Sequence, residues 1–156
     1  MNIKFVVVGK IKENYLKEAI KEYEKRLSAF CSFSVIEVNA EQILDEAMCE
    51  KYKELEADRI LQQIKSDSYV ITLEILGKIF SSEQFAEKIK EISNEGINDL
   101  VFIIGGANGL HQKVSAISKL KLSFSKMTFT HQMIRLLLIE QIYRAFKINN
   151  NEKYHR

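Results

Sequence analysis

The apolar positions of the chain switch repeatedly between two periods. Runs of β-branched, aliphatic and aromatic residues, "IKFVVV" (3–8), "FSVIEV" (33–38), "YVITLEI" (69–75), "DLVFII" (99–104) and "KLSFSKMTF" (121–129), predict five strands. Helical spacing fills the intervals. Residues 13–29 place Tyr15, Leu16, Ala19, Ile20, Tyr23 and Leu27 on one face. A long polar-faced helix is expected over 42–65, with Ile43, Ala47, Leu55, Ile60, Leu61 and Ile64 as its apolar positions. "SSEQFAEKIKEIS" opens on a capping serine, Ser81 or Ser82, before Glu83 and Gln84, and predicts a helix to about Asn94. Two more helices are expected, a short one over 110–118 and a final one over 132–147. Strand and helix in alternation predict an α/β layer fold, a mostly parallel sheet with helices on both faces. No repeat or linker interrupts the pattern, so residues 1–156 read as a single domain.

Composition narrows the class. The chain is 46% hydrophobic and 28% charged, as in an ordinary folded globule. No apolar run reaches the roughly 18 residues of a membrane span, and the N-terminal valines are too few for a signal peptide. A cytoplasmic protein without a membrane partner is expected. Cys31 and Cys49 form no metal-ligand spacing with the three histidines, so no metal is expected. The net charge of +2 is unevenly spread. Residues 110–156 hold nine Lys/Arg against two acids, net +7, whereas residues 1–109 carry a net −5. A basic C-terminal third points to a polyanionic partner, and equally to solvated lysines on helix faces.

The stretch "LVFIIGGANGLH" (100–111) runs a buried strand into Gly105, Gly106 and Gly109. A Walker loop would need Lys-Ser/Thr after its last glycine, where this chain has Leu110 and His111. A dinucleotide fingerprint would need Gly-x-Gly-x-x-Gly after the first strand. Neither fits. The turn either lets the next helix pack on the sheet or lets a ligand approach. The other strand ends, "TLEILGK" with Gly77 and "LSFSKMTFTH", favour the ligand, since three such ends can surround a flat, adenosine-sized molecule. The pocket is expected to be uncharged, which suits a sulfonium better than a triphosphate.

The last helix carries an apolar stripe of Leu138, Ile139, Ile142, Tyr143 and Phe146 with Arg135 in its middle, and Glu140, Arg144 and Lys147 on the opposite face. Arg135 is at the wrong end of the helix dipole. It either snorkels outward or faces a subunit interface or an anion. Met133, Ile134, Leu136 and Leu137 add apolar surface around the helix and predict a homodimer. The terminal "YHR" places a ring, a titrating group and a phosphate binder side by side, a kit for RNA, although chain ends are commonly frayed.

"VFIIGGANGL", "LSFSKMTFTHQMIRLLLIEQIYRAFKI" and "YHR" together resemble the RlmH family, bacterial methyltransferases that modify N3 of a pseudouridine in 23S rRNA. The resemblance extends from "VVVGKIKENYLKEAIKEYEKRL" through "ITLEILGKIFSSEQFA" to the last residue. It implies the SPOUT fold with a C-terminal trefoil knot, and S-adenosylmethionine as cofactor. The methyl donor would then lie among Leu73, the turn at Gly105 and Gly106, and the loop of Phe124, Ser125, Lys126, Met127, Thr128 and Phe129. Two departures stand out, Thr130 and Lys153 where prolines are usual in the family.

On this reading His155 accepts the N3 proton or hydrogen-bonds the base, and Tyr154 stacks on it. Arg135, Arg144 and Arg156 neutralise RNA phosphate or the developing oxyanion. His131, just before the last helix, is a rival base, against which stands a capping or interface role. The assembled ribosome is the expected substrate. Another RNA such as tRNA, or a non-catalytic RNA-binding role, are the competing readings.

Overall fold

All five predicted strands form one parallel sheet in the order β2-β1-β4-β3-β5 in the computed structural model, which describes residues 1–154. The strands are β1 (Asn2–Val8), β2 (Ser32–Val38), β3 (Tyr69–Ile79), β4 (Asp99–Ile104) and β5 (Leu120–Ser123). Central β1 and β4 are covered on both faces, which is why they read as continuous apolar runs. Alternate residues serve opposite cores. Ile3, Phe5, Val7, Leu100, Phe102 and Ile104 meet helices α1 (Asn14–Leu27), α3 (Ser82–Asn94) and α5 (Met133–Asn149). Val6, Val8, Val101 and Ile103 meet α2 (Cys49–Leu61) and α4 (Gln112–Ala116).

Local chemistry sets the helix starts. Ser81 is the N-cap of α3, with both hydrogen bonds of a capping box to Gln84. The helix expected over 42–65 begins only at Cys49. Asp45 accepts from the Ala47 amide and closes a short 3-10 turn over 46–48 instead. Within α2 it is Glu56, Ala57 and Ile60 that turn inward, while Leu55 stays exposed.

The fifth strand is also shorter than expected. It ends at Ser123, whose hydroxyl donates to the Ser125 carbonyl, and the Ser125 hydroxyl in turn accepts from the Met127 amide. These turns divert residues 124–132 into a loop. β3 is correspondingly longer. Its register against β5 jumps between Leu73 and Lys78, both opposite Leu122, so residues 74–77 bulge out of the ladder. At Gly77 a Cβ would lie 2.7 Å from the Leu122 carbonyl carbon and 2.8 Å from that of Lys121. Gly77→Ala should therefore push β5 off β3 and cost about 1–3 kcal/mol, the range of an overpacked core. Urea unfolding measures this, and an unchanged midpoint would mean the bulge tolerates a side chain.

Candidate active site

The carboxyl ends of β3, β4 and β5 open together into a cleft of about 800 Å³, the place where open α/β sheets bind ligands. Its walls include Leu73, Gly105, Gly106, Phe124, Ser125, Met127, Thr128 and Phe129. Every residue placed around the cofactor by the resemblance is thus on one cavity, except Lys126, which is exposed on the same loop. The start of α1 supplies Glu13, Tyr15 and Leu16, and the approach to α5 supplies His131 and Gln132. Tyr15, expected on the buried face of α1, is exposed at this cleft. The Lys12 amide donates to Gln132 Oε1 at 2.9 Å and ties these two segments to each other.

The glycine turn is closed by its own backbone. Gly106 and Gly109 form an isolated antiparallel bridge, and the Gly109 amide donates to the Gly106 carbonyl at 3.1 Å. Gly109 has φ +76°, a conformation that favours glycine. A Cβ on Gly105 would lie 2.8 Å from the Gly109 carbonyl carbon and 3.1 Å from Leu110 Cδ2. One on Gly106 would meet Val8 Cγ1 at 3.2 Å and approach Glu56 Oε2 at 3.6 Å. The glycines are needed first for the turn, which then presents its backbone to the cleft.

Contrary to the uncharged pocket expected from sequence, the cleft carries charge. Among the described residues that line it are two carboxylates, Glu13 and Glu74, and no Lys or Arg. That donor set fits a cationic ligand and opposes a polyphosphate. Glu74 is half-buried and held by hydroxyls: Thr72 Oγ1 donates to its Oε1 at 2.6 Å, and Ser115 Oγ lies 2.9 and 3.1 Å from its two oxygens. His131 is pulled below its ordinary value by burial, with Arg135 and Lys12 adding to the effect, so the ring is neutral at pH 7.

Arg135 is only 2% exposed. Its NH2 donates to the Val8 carbonyl at 2.8 Å and the Gly9 carbonyl at 3.0 Å, while NH1 lies 3.4 Å from Glu37 Oε1. Burial lowers its pKa and Glu37 opposes that shift. The acceptors it meets in this structure are the end of β1 and Glu37. Its Nε is the one buried side-chain nitrogen or oxygen among the described residues with no partner.

The opposite face of α5 carries a separate cluster. Glu140 Oε1 accepts from Arg144 and, at 3.2 Å, from the Tyr154 hydroxyl, which also lies 3.3 Å from that of Tyr23. The Tyr154 ring packs edge-on against Tyr143 at 4.9 Å, under the Arg144 guanidinium at 4.8 Å. Burial, with Tyr23 and Glu140, holds the Tyr154 phenol above its ordinary value. Glu140 also lines a smaller cavity of about 260 Å³ that shares Leu122, Ser123 and Phe124 with the cleft. His155 and Arg156 lie outside the described residues. Sequence reasoning missed Glu13, Glu74 and Gln132. The one available signal was the acid in "TLEILGK", next to Leu73.

Comparison with known proteins places this cleft in context. The family described as "Predicted SPOUT methyltransferase" matches residues 1–155. A relative from Methanococcus maripaludis (strain C5), named "Putative ribosomal RNA large subunit methyltransferase H", is 54% identical over 159 residues, covering all of both chains. The solved structure of a probable methylase family protein from Haemophilus influenzae Rd KW20 shares the fold with a TM-score of 0.57. It is 16% identical, with 99% of this chain and 70% of that one covered.

Proposed function

Because the chain belongs to the SPOUT methyltransferases, in the ribosomal RNA large subunit methyltransferase H family, we propose that it methylates N3 of a pseudouridine in 23S rRNA, in the cytoplasm and on the assembled ribosome. The observation that carries the cofactor assignment is the cleft itself: three strand ends, a glycine turn and two carboxylates, with no Lys or Arg on its walls. S-adenosylmethionine fits that set, being cationic at sulfur and free of phosphate. When bound it supplies a methyl group already activated for transfer, so the S–CH₃ bond breaks as the N3–CH₃ bond forms and the N3 proton must leave. Leu73, the Gly105–Gly106 turn and the 124–129 loop would hold it. Positioning alone provides up to about 7–11 kcal/mol of the acceleration.

His155 takes the N3 proton in this reading. His131 is the alternative acceptor, favoured by its place on the cleft and its neutral ring. Tyr154 stacks on the base, and Arg144 and Arg156 contact RNA phosphate within the basic C-terminal third. Arg135 acts as a positioning residue. The protein works as a homodimer, supported by half-buried Ile134, Leu136 and Leu137 on α5 and by the exposed apolar Met127 and Phe129 beside the cleft. The trefoil threading belongs to the same proposal. Supporting it, β5 returns beside β3, and the chain then crosses from the face of α4 to that of α5.

The test is radiolabelled methyl transfer to ribosomes from a strain lacking the gene, beside free 23S rRNA and bulk tRNA, with nuclease mapping. Label on N3 of one 23S pseudouridine in ribosomes is expected. Label on tRNA would move the substrate, and salt-sensitive RNA binding without methyl transfer or cofactor affinity would leave a binding module. His155→Ala should lower transfer about 100-fold or more, the usual worth of a general base, with His131→Ala much milder. The reverse order would assign the proton to His131.

A further inference from the structure

We propose that Glu74 is the charge-selective residue of the cleft: it favours the cationic sulfonium of the methyl donor over the neutral thioether that remains after transfer. The proposal rests on the cofactor reading given above. Glu74 follows Leu73 at the start of the β3 bulge, and both line the cleft. Thr72, fully buried, and Ser115 on α4 point hydroxyls at its oxygens. Ser118 completes the frame by accepting from the Thr72 amide at 3.2 Å and donating to the Leu120 carbonyl at 2.7 Å. Glu74 accepts from Thr72 and lies within hydrogen-bond reach of Ser115 through both of its oxygens. The frame leaves it little rotamer freedom, so the charge is fixed before the ligand arrives. Glu13, the other carboxylate on the wall, shows no side-chain hydrogen bond of this kind.

Donor and product differ by one methyl group and one positive charge. A fixed carboxylate therefore discriminates between them through charge, whereas the glycine turn and Leu73 meet parts the two share. The same contact assists turnover, because transfer abolishes the charge and weakens the hold on the product.

Isothermal titration of wild type and Glu74→Gln with S-adenosylmethionine and with S-adenosylhomocysteine tests this directly. The amide keeps the shape and removes the charge. The Kd for the donor should rise about tenfold, as expected for one partly solvated charge contact, and that for the product should change less than about twofold. Ser115→Ala, which keeps the charge but loosens its frame, should shift the ratio the same way by a smaller factor. Equal weakening of both ligands would reduce Glu74 to a structural role and overturn the proposal, as would no change in either. Wild type that binds neither ligand would overturn the cofactor reading itself, and this proposal with it.

Discussion

Gly105→Ala is expected to lower methyl transfer about 100-fold while the protein stays folded. The added Cβ would stand 2.8 Å from the Gly109 carbonyl carbon and 3.0 Å from its oxygen. Backbone cannot rotate away as a side-chain tip can. The turn must then open, and the Gly106–Gly109 bridge is what holds it shut. Overpacking of this kind costs about 1–3 kcal/mol, a minority of the stability of a domain this size. Catalysis suffers more, because a displacement of about 1 Å at a cofactor wall is worth on the order of 100-fold in rate. The control is Gly96→Ala. Gly96 has φ +77° with open space where a Cβ would stand, so alanine there is strained without touching anything. Thermal unfolding should fall for both variants, while donor affinity and methyl transfer fall only for Gly105→Ala. Equal loss of activity in the two would mean that stability, and not the shape of the turn, decides the rate.

How much of the fold and the cleft is legible in the sequence depends on where each signal lies. The strands were legible because burial on both faces leaves an unbroken apolar run, as in β1 and β4. The end of β5 was not. Phe124, Met127 and Phe129 continue an apolar pattern, but the hydroxyls of Ser123 and Ser125 capture the backbone and turn it. The apolar pattern overextends the start of α2 for the same kind of reason, since Asp45 satisfies the Ala47 amide locally. The three loops of the cleft came from resemblance to a family, and periodicity alone left the glycine turn undecided. Glu74 is not legible as a site residue, because an acid alternating with apolar residues in a strand reads as the solvent face. Of the two hydroxyls that hold it, that of Ser115 comes from 41 positions along the chain and is brought there only by the fold. The partners of Arg135 lie 98 to 127 positions away, beyond any local pattern.

Arg135→Met should destabilise the fold by about 2–4 kcal/mol, more than either Gly77→Ala or Gly105→Ala. Methionine keeps most of the volume, so the loss is polar. Two effects compete for it. The charge pair with Glu37 is long at 3.4 Å, and Glu37 is 36% exposed, so water can resolvate the carboxylate and the pair contributes under about 1 kcal/mol. The Val8 carbonyl has no such escape where Arg135 covers it, whereas that of Gly9 is only partly buried. Val8 loses a charge-assisted hydrogen bond worth about 1.5–3 kcal/mol, and water partly replaces the one that Gly9 loses. The carbonyls should therefore dominate. Urea unfolding of Arg135→Met, Glu37→Gln and the double variant separates the two, with Glu37→Gln nearly neutral and the coupling small. A large coupling would make the ion pair the anchor instead. The consequence reaches the cleft. Residues 8–9 feed directly into the turn that carries Lys12, and Lys12 is tied to Gln132 just before α5. Loosening Arg135 frees the wall formed by Glu13, Tyr15 and Leu16, so donor affinity should fall even at temperatures where the variant remains folded. An unchanged affinity would confine Arg135 to stability.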